Sequence, residues 1–191
     1  MSGPLRERLL HFWAQTLLFF GRNARALRVM QEVVRANPAR HEAWSVIGFL
    51  HAQSGELSLA IPAFEKALAL QPDDAALSFN AAFVLQRSGE HERAMTLMQR
   101  AITLDPKLDR AWYGLGISLA HVGRHEEAVG KFRAEVRLQP LNPYAGYHLA
   151  AVLAKLGRRD EMLAEYERVK GFDPKISALM RREFGIEDPD A

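Results

Sequence analysis

The chain of 191 residues contains no cysteine. That absence removes disulfides, thiolate metal ligands, a cysteine nucleophile and a lipidated N-terminal cysteine together, and a cytoplasmic location is the expectation. Long hydrophobic runs are missing too. The longest strongly apolar stretch, Leu9 to Phe20, spans 12 residues and includes His11 and Gln15, short of the roughly 20 apolar residues that cross a bilayer as a helix. Arg6 and Arg8 ahead of it imitate the start of a secretory leader, but Gly21-Arg22-Asn23 is a poor cleavage site, so no leader is expected. Net charge is small, +2, yet unevenly placed: residues 1–40 hold seven Arg and two Glu for +5, and the remaining 151 residues carry −3. A basic first segment suits nucleic acid, anionic lipid or an acidic protein. Without a nucleic-acid motif or interleaved aromatic and basic residues it reads as a solvated arginine-rich face, and no nucleic-acid partner is expected.

Catalytic signatures are also lacking. There is no Gly-rich phosphate loop, nucleophile elbow or zinc-protease helix. His121 and His125 have a metal-ligand spacing, but Gly123 between them marks a turn and breaks their common face. Nothing gathers the carboxylates into a cleft. No enzyme, cofactor or metal site is expected.

What the sequence has is a period. Pro38, Pro72, Pro106, Pro140 and Pro174 stand 34 residues apart, and Gly21, Gly55, Gly89, Gly123 and Gly157 keep the same step. Aligned on the prolines, the repeats run 7–40, 41–74, 75–108, 109–142 and 143–176. In the second, Trp44, Ile47, Gly48 and His51 precede Gly55, and Ala60, Phe64, Ala67 and Pro72 follow; the fourth reads Trp112, Leu115, Gly116, Leu119, Gly123, Ala128, Phe132 and Pro140. Steps of three and four put each set on one helical face, and the central glycine supplies the turn of a helical hairpin. Small residues such as Gly48, Gly116, Ala60 and Ala128 let two helices approach closely. One hairpin cannot bury enough apolar surface alone, so the repeats must stack. Residues 177–186, with Leu179, Met180, Phe184 and Ile186, are predicted to form a helix covering the last repeat, and 187–191 an acidic frayed tail. Asn142-Pro143 reads as a helix start. Pro62, inside the second helix of its repeat, is expected to kink that helix slightly. Glu135, in a slot for a small packing residue, is expected to turn outward or pair with Lys131.

These residues resemble the tetratricopeptide repeat, W-x2-L-G-x2-Y, then A-x3-F, then P, over about nine tenths of the chain. Ser78, Ala81 and Ala82 in the third repeat, and Gly146, Met162 and Tyr166 in the fifth, depart from it. The resemblance implies an all-α fold, a right-handed superhelical solenoid of helix-turn-helix repeats with a C-terminal capping helix.

It also implies that the first helix of each hairpin lines a concave surface through its second, fifth, ninth and thirteenth residues. The fifth-residue column is His11, Ser45, Phe79, Tyr113 and Tyr147; the ninth is Gln15, Phe49, Phe83, Ile117 and Ala151. With Tyr144, an apolar stripe of Phe49, Phe79, Phe83, Tyr113, Ile117, Tyr144 and Tyr147 is expected to bind a peptide, rimmed by Asn80, Arg87, Arg110 and His121. One subset of the family clamps a chaperone's C-terminal carboxylate. Here its five positions hold Ser45, Phe49, Asn80, Arg110 and Gly114, of which two fit, so an apolar segment suits this surface better. The expected function is a non-enzymatic adaptor or scaffold for a protein or peptide partner of unknown identity. The alternatives are a self-assembling homo-oligomeric scaffold, or a peripheral membrane or secretion-complex assembly factor that uses the basic first repeat and Phe19-Phe20.

Overall fold

A computed structural model describes residues 3–187, and for residues 3–8 and His11 the backbone alone. The expectations for the Arg6, Arg8 and His11 side chains and for tail residues 188–191 lie outside the described residues. Among these the regular structure is helical throughout. The chain divides into two compact bodies, one ending at Leu104 and one starting at Asp105. The N-terminal body holds α1 (Gly3–Phe19), α2 (Asn23–Ala36), α3 (His41–Gln53), α4 (Leu57–Leu70), α5 (Ala75–Arg87) and α6 (His91–Leu104). The C-terminal body holds α7 (Asp109–His121), α8 (His125–Leu138), α9 (Pro143–Lys155), α10 (Arg159–Lys170) and α11 (Pro174–Phe184). Helices pair in chain order as hairpins, and within each body one hairpin rests on the next, α2 on α3, α4 on α5 and α8 on α9.

The hairpin turns share one construction. Gly21, Gly55, Gly89, Gly123 and Gly157 have φ between 67° and 86°, a left-handed conformation that costs a residue with a Cβ about 1–2 kcal/mol. The next residue returns its backbone N–H to the carbonyl five positions back: Arg22 to Leu17, Glu56 to His51, Glu90 to Leu85, Arg124 to Leu119 and Arg158 to Leu153, at 2.7–2.9 Å. Each first helix is thereby closed by satisfying one of its terminal carbonyls. Inside the hairpin the two helices meet where a side chain is missing. A Cβ on Gly48 would stand 2.8 Å from the Phe64 ring, and one on Gly116 2.7 Å from Phe132.

Trp44 and Trp112 tie each hairpin to the loop before it, donating their indole N–H to the carbonyls of Pro38 and Pro106, both at 2.9 Å. The fifth repeat has Gly146 in the tryptophan slot. There Arg168 enters from α10: its Nη2 would lie 2.7 Å from a Cβ on Gly146, and its Nη1 donates to Pro140 O, the equivalent carbonyl. The departure at Gly146 is therefore compensated by a different donor from a different helix.

Side chains cap the starts of α5, α9 and α11. Asn142 Oδ1 accepts from the Tyr144 amide (3.1 Å) with Pro143 in the first turn, and Asp74 Oδ1 accepts from Leu77 N (2.9 Å). The terminal helix begins at Pro174 rather than residue 177, because Asp173 caps it by accepting from the Lys175 and Ile176 amides. It ends against Gly185, φ 60°, and packs on α9 and α10. Pro62 is exposed and α4 runs through it unbroken.

Candidate peptide-binding site

In the N-terminal body the first helices α3 and α5 touch, and Phe49 on α3 and Phe83 on α5 are 52% and 46% exposed. Both stand beside fully packed neighbours, Gly48 and Leu50 on one helix, Val84 and Leu85 on the other, so the rings sit on a firm base. Phe79 differs from the expectation of an open stripe: it is 8% exposed, its ring stacked on Phe83 at 6.3 Å. A repeat column gives the direction of a side chain, and one turn further along the same helix the Phe83 ring covers Phe79 from water. Asn80 is half-buried in an open depression of about 320 Å³ that also takes in Gln15, Ser45, His41, Glu42 and Asp74. Arg87 donates from Nη1 to Ala52 O in the last turn of α3 (3.0 Å) and lies 5.9 Å from the Phe83 ring centre. Its charge meets the negative end of α3 while its stem edges the aromatic surface.

In the C-terminal body α7 and α9 touch and carry Tyr113, Ile117, Tyr144 and Tyr147. Tyr144 is 58% exposed, and the other three are half-buried. Tyr113 meets Phe132 edge-on at 6.1 Å and His148 at 5.5 Å. Tyr147 stacks on Phe184 at 5.8 Å and donates its hydroxyl to Glu183 Oε2 at 2.5 Å, both residues of α11. The terminal helix thus covers part of the stripe expected to be open. Arg110 and His121 are exposed at opposite ends of α7.

Around these rings the surroundings favour neutral groups. Burial depresses the His148 pKa. Burial raises that of Tyr113, helped by the nearby Glu135 carboxylate, and the Glu183 hydrogen bond raises that of Tyr147. Glu135 corrects an expectation: it is 1% exposed, not turned outward, and Lys131 lies instead over the Trp112 ring, 5.3 Å from its centre. Asn142 Nδ2 donates to Glu135 Oε1 (2.7 Å), while Oε2 is buried without a partner. Burial pushes the Glu135 pKa up to about 7, and Asp109 adds to the rise, against the opposing effects of the Asn142 hydrogen bond and the Arg168 charge.

A second groove, missed by the column reading, lies in the N-terminal body between α4, α5 and α6. It encloses about 450 Å³ and is lined by Ile61, Leu68 and Leu97 with Arg93 and Arg100. The sevenfold spacings Ile61–Leu68 and Arg93–Arg100 were its legible signal. Ion pairs bridge it, Arg93 to Glu65 and Arg100 to Asp73 (3.2 Å), so its cations are already engaged. Among the described residues no group of three His, Asp or Glu side chains is placed to hold a metal ion, and no helix is long and apolar enough to cross a membrane.

Comparison with known proteins identifies the repeat. The family described as cytochrome c-type biogenesis protein H TPR domain matches residues 23–145. Solved tetratricopeptide structures share the all-α helical-repeat solenoid. MamA from Desulfovibrio magneticus RS-1 superposes with a TM-score of 0.83 at 21% identity, covering 88% of this chain and 96% of its own. A further MamA structure gives 0.83 at 19% identity, covering 95% and 97%. YrrB, described as a TPR protein with an unusual peptide-binding site, gives 0.80 at 22% identity, covering 88% of both chains. No curated protein matched the sequence.

Proposed function

Because the chain belongs to the family of cytochrome c-type biogenesis protein H TPR domains, we propose that it is a non-enzymatic adaptor. It holds an apolar peptide or helix of a partner protein on the faces of its first helices. The observation that carries this reading is the pair Phe49 and Phe83, about half exposed on touching helices whose other faces are packed. Rings presented on a rigid base bind at little ordering cost on their own side, and exposed aromatics of this kind are the usual anchors of an interface. The depression around Asn80, Ser45 and Gln15 supplies hydrogen-bonding groups for a peptide backbone beside them. Arg87 contributes the rim. In the C-terminal body Tyr144 is the open anchor, with Tyr113, Ile117 and Tyr147 behind it and Arg110 and His121 at the margins. The assembly of c-type cytochromes, named in the family's description, is the first setting in which to seek the partner.

A photo-reactive amino acid at Asn80, in the depression beside the two rings, followed by mass spectrometry of cross-links formed in native cells, tests the reading. Recurrent capture of one apolar segment, weakened about tenfold or more by Phe49→Ala with Phe83→Ala, is the expected result. Capture that survives the double substitution unchanged, with the fold intact by circular dichroism, refutes it.

A further inference from the structure

Among its described side chains, helix α1 carries apolar residues on both its packed and its exposed side. Ala14 and Leu17, 0% and 5% exposed, join the core with Met30 and with Ala26 and Leu50 respectively. The other side carries Leu9, Phe12, Trp13, Phe19 and Phe20 at 48%, 70%, 53%, 85% and 69% exposure. At about 100° per residue these five fall within one arc of roughly 120°, with Ala14 on the far side of the helix and Leu17 about 40° beyond the arc's edge. Thr16 lies within the arc, but its hydroxyl donates to Phe12 O at 3.0 Å and its polarity is spent within the helix. The strip therefore offers water almost nothing to bond. By contrast, α11 turns the polar side chains of Lys175, Arg182 and Glu183 to water.

The charge carried by the same hairpin points to what covers the strip. Arg22 in the turn and Arg25, Arg28 and Arg35 on α2 are exposed, with Glu32 the single acid on that helix, and residues 1–40 carry +5. We propose that α1 and the α1–α2 turn dock on a bilayer surface rich in anionic lipid. In this docking α1 lies in the plane of the interface, Phe12, Trp13, Phe19 and Phe20 enter the boundary between headgroups and acyl chains, and the arginines pair with lipid phosphates. The apolar area alone does not single out a membrane. The five side chains expose on the order of 700 Å², close to the roughly 800 Å² per partner of a stable dimer. Charge separates the two, because a second copy brings another +5 segment against the first, whereas an anionic surface attracts it.

Co-sedimentation of the full chain with phosphatidylglycerol vesicles and with phosphatidylcholine vesicles, combined with light scattering, decides the matter. Binding to the anionic vesicles alone is expected, with weakening in salt. Phe19→Ser with Phe20→Ser should lower affinity about tenfold or more. Arg22→Glu with Arg25→Glu, which leaves every ring in place, should lower it several-fold, and both variants should keep the parent melting temperature. Brominated acyl chains should quench a component of tryptophan emission that disappears in Trp13→Phe. Absence of sedimentation, or sedimentation insensitive to the Phe19 and Phe20 substitutions, overturns the proposal. So does a dimer that ignores vesicles and dissociates in that same double variant, since a second copy would then occupy the strip.

Discussion

The Asn142 side-chain amide donates to Glu135 Oε1 over 2.7 Å, while Oε2 of the same carboxylate is buried with no partner. One hydrogen bond satisfies only part of a desolvated carboxylate, so the neutral acid is the better-accommodated form. Its pKa of about 7 lies above the ordinary 4.5, and between those values the folded chain keeps a proton that the unfolded chain has lost. Stability contributed by this group is present in full below the ordinary value and falls as pH rises through about 7, by on the order of 3 kcal/mol in total. Urea midpoints should decline across that window, and Glu135→Gln should flatten the decline and raise the midpoint at about pH 8. An unchanged slope in that variant would refute the assignment.

Arg168 should matter more than other surface arginines. It donates to Pro140 O and pairs with Glu165 beside Gly146. Arg168→Ala is expected to cost about 1–3 kcal/mol by urea denaturation. Gly146→Ala should cost a similar amount, roughly 1–3 kcal/mol, because its Cβ would meet Val169 Cγ2 at 2.5 Å and Arg168 Nη2 at 2.7 Å. A neutral result for both would mean that the fifth repeat does not depend on this substitute tie.

Two glycines in one hairpin separate packing from backbone conformation. Gly116 faces Phe132, whereas Gly123 faces open space at φ 81°. Each Gly→Ala change should destabilise, by about 1–3 kcal/mol at Gly116 and about 1–2 kcal/mol at Gly123. Phe132→Leu should recover part of the loss at Gly116 and none at Gly123, measured as a double-mutant cycle.

The terminal helix should loosen independently of the rest. Tyr147→Phe removes the hydroxyl that Glu183 accepts and leaves the ring stacked on Phe184. Hydrogen exchange should quicken in α11 by a factor corresponding to about 1–2 kcal/mol, with little change in α7 and α8. Uniform acceleration throughout the chain would show that α11 is not a separate opening unit.

Most of the fold was legible because it rests on local, repeating causes. The turn glycines, the Asn142-Pro143 start and the close approaches at Gly48 and Gly116 each need only a residue type at a fixed place in the period. The start of α11 was placed three residues late, at 177, although Asp173-Pro174 repeats the Asn142-Pro143 signal. The candidate site was less legible. Phe79, Tyr113 and Tyr147 occupy the expected columns, but their cover comes from Phe83, from Phe132 and His148, and from α11, none of which the periodicity weighs. Glu135 was misread because its donor, Asn142, was already accounted for as a helix cap; its Oδ1 caps α9 while its Nδ2 serves the carboxylate.

The indole ties from Trp44 to Pro38 and from Trp112 to Pro106 also bear on how the array can be edited. Each spans the junction between one 34-residue module and the next, so a splice made after the proline and before the tryptophan parts the two partners. A transplanted module should therefore be cut ahead of its leading proline, carrying its own fastening with it, and shortened or lengthened arrays joined in that phase should keep their joints.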